Sequence, residues 1–202
     1  MNLLKKPKYG KPIIVVSGLP RSGTSMMMKM LEAGGVEIAS DGERKADDDN
    51  PKGYYELERI KELDKGKDKS WVKNLRGKAV KVISFLLKDL PGEHFYKVIF
   101  VRRDLKEVMA SQNKMLVNRG VDFDPSYEKK MIANYEKHLH QVEQILKGDD
   151  RFDVLYLSHR EILNDPLTSA KAISSFVQDG LNEKAMAGVV DTALYRNRNG
   201  VI

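Results

Sequence analysis

The segment of residues 18–25 constrains the fold of this chain more than any other part of the sequence. It reads GLPRSGTS and follows an uninterrupted apolar run, residues 13–16, which is typical of a strand buried on both faces. Residues 24–33 then carry methionine and leucine at helical spacing until two glycines end the pattern. A strand, a glycine loop and a helix in this order direct backbone N–H groups and a helix N-terminus at one point, which favours phosphate binding.

Strand-like and helix-like segments alternate along the rest of the chain. Further strands are predicted at residues 78–83, 97–101 and 153–157, and further helices at residues 85–90, 105–118, 127–147 and 166–177. This alternation predicts an α/β protein with a central parallel sheet. Between the first helix and the next strand, residues 36–52 are acidic and irregular, and we interpret them as a surface loop. The length of 202 residues fits one domain, residues 1–202.

Composition excludes several classes of function. The chain has no cysteine, so disulfides, thiolate nucleophiles and cysteine-based metal sites are excluded. No apolar run approaches the roughly 20 residues that span a bilayer, and the first residues lack the pattern of a secretory signal, so we expect a cytoplasmic protein with no membrane span. The net charge of +6 suits an anionic ligand. Because the basic residues are scattered and not interleaved with aromatic ones, we expect no nucleic-acid partner.

The glycine loop departs from the P-loop of nucleoside triphosphatases at one position. Gly18 and Gly23 have the spacing of the pattern G-x4-G-K-[ST], but Thr24 stands where the lysine belongs. Transfer of a γ-phosphoryl group would therefore lack its main compensating charge. Arg21, inside the loop, can instead supply a fixed cation to a transferring group. A P-loop nucleotide or small-molecule kinase stays open as an alternative reading.

Two segments resemble the nucleotide-binding motifs of sulfotransferases. Residues 20–25, PRSGTS, resemble the family's 5'-phosphosulfate loop, which reads P-[KR]-[ST]-G-[TS]-[TS]. Residues 98–111 resemble its 3'-phosphate signature, in which an arginine at a strand end and a serine eight residues further on bind one phosphate. Arg103 and Ser111 stand at those positions, where a guanidinium fork and a hydroxyl suit a phosphate.

The resemblance implies a nucleotide, a fold and a set of binding residues. The nucleotide is 3'-phosphoadenosine 5'-phosphosulfate (PAPS), with 3'-phosphoadenosine 5'-phosphate (PAP) as its product and no metal. The fold is a three-layer, P-loop-like α/β fold with helices on both sides of the central parallel sheet. His159 falls near the position of a residue that meets the adenine in many cytosolic members, and it is either a stacking residue or a surface residue. The basic tail, residues 194–200, either returns over the nucleotide, as such segments do in the family, or is a frayed end. The implied binding residues are Gly18, Pro20, Arg21, Ser22, Gly23, Thr24, Ser25, Arg103, Ser111 and Arg196.

The same resemblance leaves the catalytic base open. Cytosolic members carry their base in a Lys-Thr-His triplet, and the corresponding residues here are KVI, residues 81–83, so Lys81 can act only as a cation. Other members use a carboxylate after the first helix, where Asp41 and Glu56 are the candidates. Two tyrosines precede Glu56 and their rings could shield it from water. A protein without this base could also bind phosphoadenosine nucleotides without catalysis.

The acceptor side is expected to lie in residues 36–77, the largest stretch outside the two motifs. The expected acceptor is a hydroxyl or amine of a small molecule, sugar or lipid. The aromatic residues Tyr54, Tyr55, Trp71 and Tyr127 can either line the acceptor pocket or belong to the core. The sequence does not specify the oligomeric state.

Overall fold

The structure is a computed structural model of the chain, and it describes residues 10–43, 54–66, 68–118, 120 and 126–191. Four strands form one sheet, namely β1 (Ile13–Gly18), β2 (Ala79–Lys81), β3 (Tyr96–Arg102) and β4 (Phe152–Ser158). Their order across the sheet is β2-β1-β3-β4, and every pair is parallel. All four carboxyl ends therefore lie at one edge. The order reverses between β1 and β3, which is where open parallel sheets bind ligands.

The described part of the chain contains six α-helices: α1 (Thr24–Ala33), α2 (Leu105–Asn118), α3 (Ser126–Gly148), α4 (His159–Asn164), α5 (Pro166–Val177) and α6 (Glu183–Gly188). Short 3-10 helices occupy Glu58–Glu62, Ser70–Leu75 and Ser84–Asp89. Local sequence accounts for the start of α5, because Asp165 accepts the Thr168 N–H at 3.0 Å and Pro166 fits the first turn.

Two apolar cores lie on opposite faces of the sheet. On one face Ile14 and Val16 pack with Met27 and Met30 of α1 and Ile173 of α5. On the other face, alternate residues of β1, β2 and β3 pack against α3 and the 3-10 helices, with members Ile13, Val15, Val80, Val82, Val98, Phe100, Val142 and Leu146. Because both faces are covered, β1 is buried at all six residues, which explains its uninterrupted apolar sequence.

The predicted α/β fold with a parallel sheet between helices is confirmed, and α1, α2 and α5 have the predicted bounds. Two details were wrong. The helix expected at residues 85–90 is a 3-10 helix, a form that suits such short segments. The loop expected from residue 36 includes a short parallel pairing in its described part, since Ala39 donates to the Ala79 carbonyl and Ala79 donates to the Glu37 carbonyl, both at 2.8 Å. This pairing covers the outer edge of β2.

Candidate active site

The glycine loop connects β1 to α1 at the carboxyl edge of the sheet. Its buried Leu19 packs against Val108 and Met109 of α2 and Tyr135 of α3, which fixes the loop on these helices. Arg21 and Gly23 both have left-handed backbones, with φ of 69° and 103°. Gly23 directly precedes α1, so the first N–H groups of that helix follow the loop without a side-chain cap. Unsatisfied N–H groups at such a position can bind an anion.

The loop also contains a buried hydroxyl with an unmet hydrogen bond. Ser22 is almost fully buried, and its Oγ has no partner among the residues that the structure describes. A buried polar atom without a partner is costly, and native structures seldom contain one without a functional reason. At the glycine loop, this hydroxyl is a candidate donor to a bound anion. Thr24, the next hydroxyl residue, is also buried.

The two sequence motifs meet in the fold. Arg21 donates from Nε to Ser111 Oγ at 3.0 Å, and Arg103 donates from Nη1 to the Arg21 carbonyl at 3.0 Å. Arg21 comes from the loop after β1, Arg103 follows β3, and Ser111 lies two turns into α2. Residues 82 and 90 positions apart thus contact each other directly. Two guanidinium groups and a hydroxyl converge at the carboxyl edge, which gives this edge the chemistry of an anion site.

A buried carboxylate supports this cluster. Glu107 of α2 is 3% exposed, and its two oxygens accept one hydrogen bond each, from Arg103 Nε and from Arg160 Nη2, both at 3.1 Å. Arg160 belongs to α4, directly after β4. The backbone of Glu107 is held as well, because its N–H donates to the Asp104 side chain at the start of α2. A buried carboxylate needs such partners to remain charged in the protein.

A second cationic group lies on the side of β2. Lys81 is 10% exposed, and its Nζ donates to Ser25 Oγ at 3.3 Å and to the Tyr54 carbonyl at 2.9 Å. The same Nζ lies 3.7 Å from Glu56 Oε1. Lys81 therefore connects the first turn of α1 with the segment that carries Glu56. This geometry brings together the candidate loop, cation and carboxylate that the sequence placed far apart.

The two candidate carboxylates, Asp41 and Glu56, differ in exposure and in contacts. Asp41 is exposed, and both of its oxygens accept backbone N–H groups, from Glu43 at 3.1 Å and from Glu58 at 2.6 Å. Its role is to hold two loop segments together. Glu56 is 18% exposed and lies between Lys81 and Lys61, with each ammonium 3.7 Å from one of its oxygens. Of the two, Glu56 is the carboxylate that contacts the rest of the site.

His159 is buried beneath the glycine loop, so the reading of it as a surface residue was wrong. A Cβ added to Gly23 would lie 2.5 Å from His159 Cδ2, which shows how closely the ring supports the loop. The pKa of His159 is lowered from 6.5 to about 4; burial is the largest cause, nearby Arg103 adds to the shift, and Glu107 opposes it. The imidazole is therefore neutral at pH 7.

This depressed pKa predicts acid sensitivity of the fold. The unfolded chain binds a proton at His159 near pH 6.5 and the folded chain only near pH 4, so the free energy of unfolding should fall as the pH decreases through this window. Between pH values above 6.5 and below 4, His159 alone should lower the free energy of unfolding by about 3 kcal/mol. Urea unfolding at pH 7.0 and pH 5.0 checks this. The wild type should lose more stability between the two pH values than His159→Gln, and equal losses would contradict the prediction.

The remaining sequence candidates have varied positions. Tyr54 is buried, Trp71 packs against the core with the Arg59 guanidinium 4.9 Å from its ring centroid, and Tyr127 is exposed on α3. Tyr55 donates its hydroxyl to Glu32 Oε2 at 2.7 Å. Arg196 lies outside the described residues.

None of the helices in the described part of the chain has the length and apolar character needed to cross a membrane. Within that same part, no three or more histidine or carboxylate side chains are grouped as metal ligands would be.

Sequence reasoning did not find Glu107 and Arg160. Glu107 had a usable signal, because it stands four residues after Arg103 and four before Ser111, and such spacings share one helix face. Arg160 had no such signal in the sequence, since its partner Glu107 is 53 positions away. Only the packing of α4 beside α2 shows that these side chains belong to the site.

Comparison with known families gives one match that covers nearly the whole chain. The model of the sulfotransferase domain family matches residues 11–199. Both nucleotide motifs and all four strands lie within this range. No curated protein sequence matches the chain.

Several solved structures are similar to this one. A mouse sulfotransferase, SULT7A1 complexed with PAP, has a TM-score of 0.51 at 17% identity, and the match covers 90% of this chain and 63% of the mouse chain. The chain thus spans less than two thirds of that relative. A sulfotransferase from Alicyclobacillus acidocaldarius has a TM-score of 0.48 at 15% identity and coverages of 83% and 81%. The sulfotransferase domain of the Synechococcus PCC 7002 olefin synthase has the same score and identity, with coverages of 99% and 82%. The mouse structure supports the fold.

Proposed function

Because this chain belongs to the sulfotransferase domain family, we propose that it transfers a sulfuryl group from PAPS to a hydroxyl or amine of a small molecule, sugar or lipid. The observation that carries this proposal is the contact between the two motifs. Arg21 of the glycine loop hydrogen-bonds Ser111, and Arg103 hydrogen-bonds the Arg21 carbonyl. A nucleotide with phosphates at its 5' and 3' ends presents two anionic groups, and this arrangement offers a cationic group to each.

The residues present fit such a nucleotide. Gly18 and Gly23 have no side chain to obstruct the loop, and the Ser22 hydroxyl is buried without a partner in the described chain. The first turn of α1 supplies N–H groups for the 5' end, with the hydroxyls of Thr24 and Ser25 beside it. These features belong to the chain itself and stand independently of the comparison with relatives.

Three side chains are assigned roles in the reaction. PAPS supplies the sulfuryl group, with its bond to the phosphate oxygen broken as the acceptor oxygen or nitrogen bonds sulfur. Arg21 and Lys81, both at the glycine loop, stabilise the charge that develops on the leaving phosphate. Glu56 takes the acceptor's proton, since it is the candidate carboxylate that contacts Lys81. The acceptor side is then the segment around Tyr54 and Glu56.

Calorimetric titration with PAP and with magnesium ATP tests the nucleotide. We expect PAP to bind with a dissociation constant in the micromolar range or below, and magnesium ATP to bind at least tenfold more weakly, since Thr24 replaces the lysine that an ATP site uses. Preference for magnesium ATP would overturn the proposal in favour of a kinase. An equal affinity for both would remove the basis for a PAPS site.

Transfer itself is then measured as PAP release from PAPS in the presence of pooled phenols, alcohols, amines and sugars. Acceptor-dependent release supports the enzyme, whereas PAP binding without release in any pool favours a non-catalytic binder. With an acceptor identified, Glu56→Gln should keep PAP binding and lose turnover. Its exposed neighbour Glu58, which pairs with Lys61, provides the matched control Glu58→Gln.

A further inference from the structure

The proposed 3'-phosphate site contains a buried negative charge. Glu107 stands midway between Arg103 and Ser111 in the sequence, and Ser111 follows it by one helical turn on α2. A phosphate bound by Arg103 and Ser111 would thus lie beside the Glu107 carboxylate. Two anions at such a distance repel strongly where water is excluded. The site can bind a phosphate only if the charge of Glu107 is offset within the protein.

Arg103 alone does not provide that offset. Its Nε donates to Glu107 and its Nη1 to the Arg21 carbonyl. The ion pair with Glu107 therefore already compensates the positive charge of Arg103. Arg160 provides a second guanidinium on the other carboxylate oxygen, at 3.1 Å. Arg21, Arg103 and Arg160 with Glu107 carry three positive charges and one negative charge, a net charge of +2. Without Arg160 the net charge would be +1.

Arg160 is also accessible to a ligand. Its side chain is 56% exposed, whereas those of Arg103 and Glu107 are 9% and 3% exposed. Two features fix its position: α4 begins directly after β4, and the preceding residue, His159, packs under Gly23 of the loop. Asp104, which precedes α2, is exposed and accepts the N–H groups of Lys106 and Glu107. Arg160 is therefore the outer cation of the cluster.

We propose that Arg160 is a specificity-determining residue that makes the site select nucleotides with a 3'-phosphate. This inference rests on the proposed function, because it assigns the 3'-phosphate to the Arg103 and Ser111 site. By pairing with Glu107, Arg160 leaves the Arg103 guanidinium with net positive charge for the dianionic phosphate. A nucleotide that lacks the 3'-phosphate gains nothing from this arrangement.

The test compares two ligands that differ only in the 3'-phosphate, PAP and adenosine 5'-monophosphate, by calorimetric titration. The measured quantity is the ratio of their affinities. Arg160→Ala should lower this ratio by about tenfold, because PAP loses the benefit of the second cation and the monophosphate does not. Arg160→Lys should recover part of the ratio. Lys106→Ala is the matched control and should leave the ratio within twofold. Lys106 is an exposed cation next to Glu107 on α2, whereas the ion pairs of Glu107 are with Arg103 and Arg160.

Two failures are distinguishable. If the wild type binds PAP no better than adenosine 5'-monophosphate, the proposed 3'-phosphate site is wrong. If the wild type prefers PAP but Arg160→Ala keeps the same ratio, or weakens both ligands equally, Arg160 has no role in selectivity and the inference is overturned. Thermal unfolding of each variant confirms that the protein compared is folded.

Discussion

Arg103→Ala is expected to lower the affinity for PAP by about a hundredfold or more. The substitution removes a guanidinium fork from the proposed phosphate site and takes away a hydrogen-bond donor to the Glu107 carboxylate. It also removes the donor to the Arg21 carbonyl, which holds the loop at its left-handed residue. Three effects on one site thus act in the same direction. Calorimetric titration with PAP measures the result.

Arg102 provides the control for this substitution. It is the preceding residue of β3, but its side chain is 48% exposed, pairs with Glu143 and lies with its guanidinium carbon 4.2 Å from the Tyr156 ring centroid, away from the loop. Arg102→Ala should therefore retain PAP affinity within a few fold. Arg103→Lys keeps the charge without the planar fork and should have an intermediate affinity. An Arg103→Ala protein that is folded and binds PAP as the wild type does would remove Arg103 from the site.

Gly18→Ala is expected to destabilise the fold by roughly 3 kcal/mol or more. A Cβ at Gly18 would lie 2.6 Å from the Val101 carbonyl oxygen and 2.5 Å from Ser22 Oγ. The first of these atoms is backbone of the neighbouring strand, so it cannot move without disturbing the pairing of β1 with β3. The φ of +152° adds strain of its own for any residue with a side chain. Urea unfolding gives the change in the free energy of unfolding.

Gly35→Ala separates the two contributions. Gly35 also has a positive φ, of 95°, but a Cβ there would have no atom within 4 Å. This variant should therefore show the backbone strain without the collision and lose about 1 kcal/mol. Equal losses for Gly18→Ala and Gly35→Ala would mean that the contact with Val101 is relaxed at little cost, and that the tight approach of the loop to β3 does not stabilise the fold.

The sequence predicted those parts of the fold that rest on local patterns. The apolar run of β1 and the periodic helices α1, α2 and α5 are such patterns, and each was found where it was expected. The glycine loop is also a local pattern, because Gly18 and Gly23 adopt the positive φ angles that the tight turn between β1 and α1 requires. The short segment Ser84–Asp89 has no such signal, since six residues do not establish a helical period.

The contacts that connect the site depend on tertiary packing and could not be read in the same way. The pairs Lys81 with Glu56 and Arg160 with Glu107 join residues from different loops and helices, and their sequence neighbourhoods give no sign of a partner. The burial of His159 is similar, because it results from the position of β4 next to β3 and from the missing side chain at Gly23. Motifs locate the loops of a site, whereas the sheet order decides which side chains meet there.

The contact of His159 with Gly23 has a consequence for a chain that emerges from the ribosome. The glycine loop is translated before the ring that supports it and before the Arg160 guanidinium, which both follow it by more than a hundred residues. A nascent chain that has reached the end of α2 already contains both nucleotide motifs and still lacks β4, α4 and the core helices α5 and α6. The packing of His159 under Gly23 and the pairing of Arg160 with Glu107 can form only after β4 and α4 have emerged and docked. Both motifs are thus translated well before the site that they belong to exists.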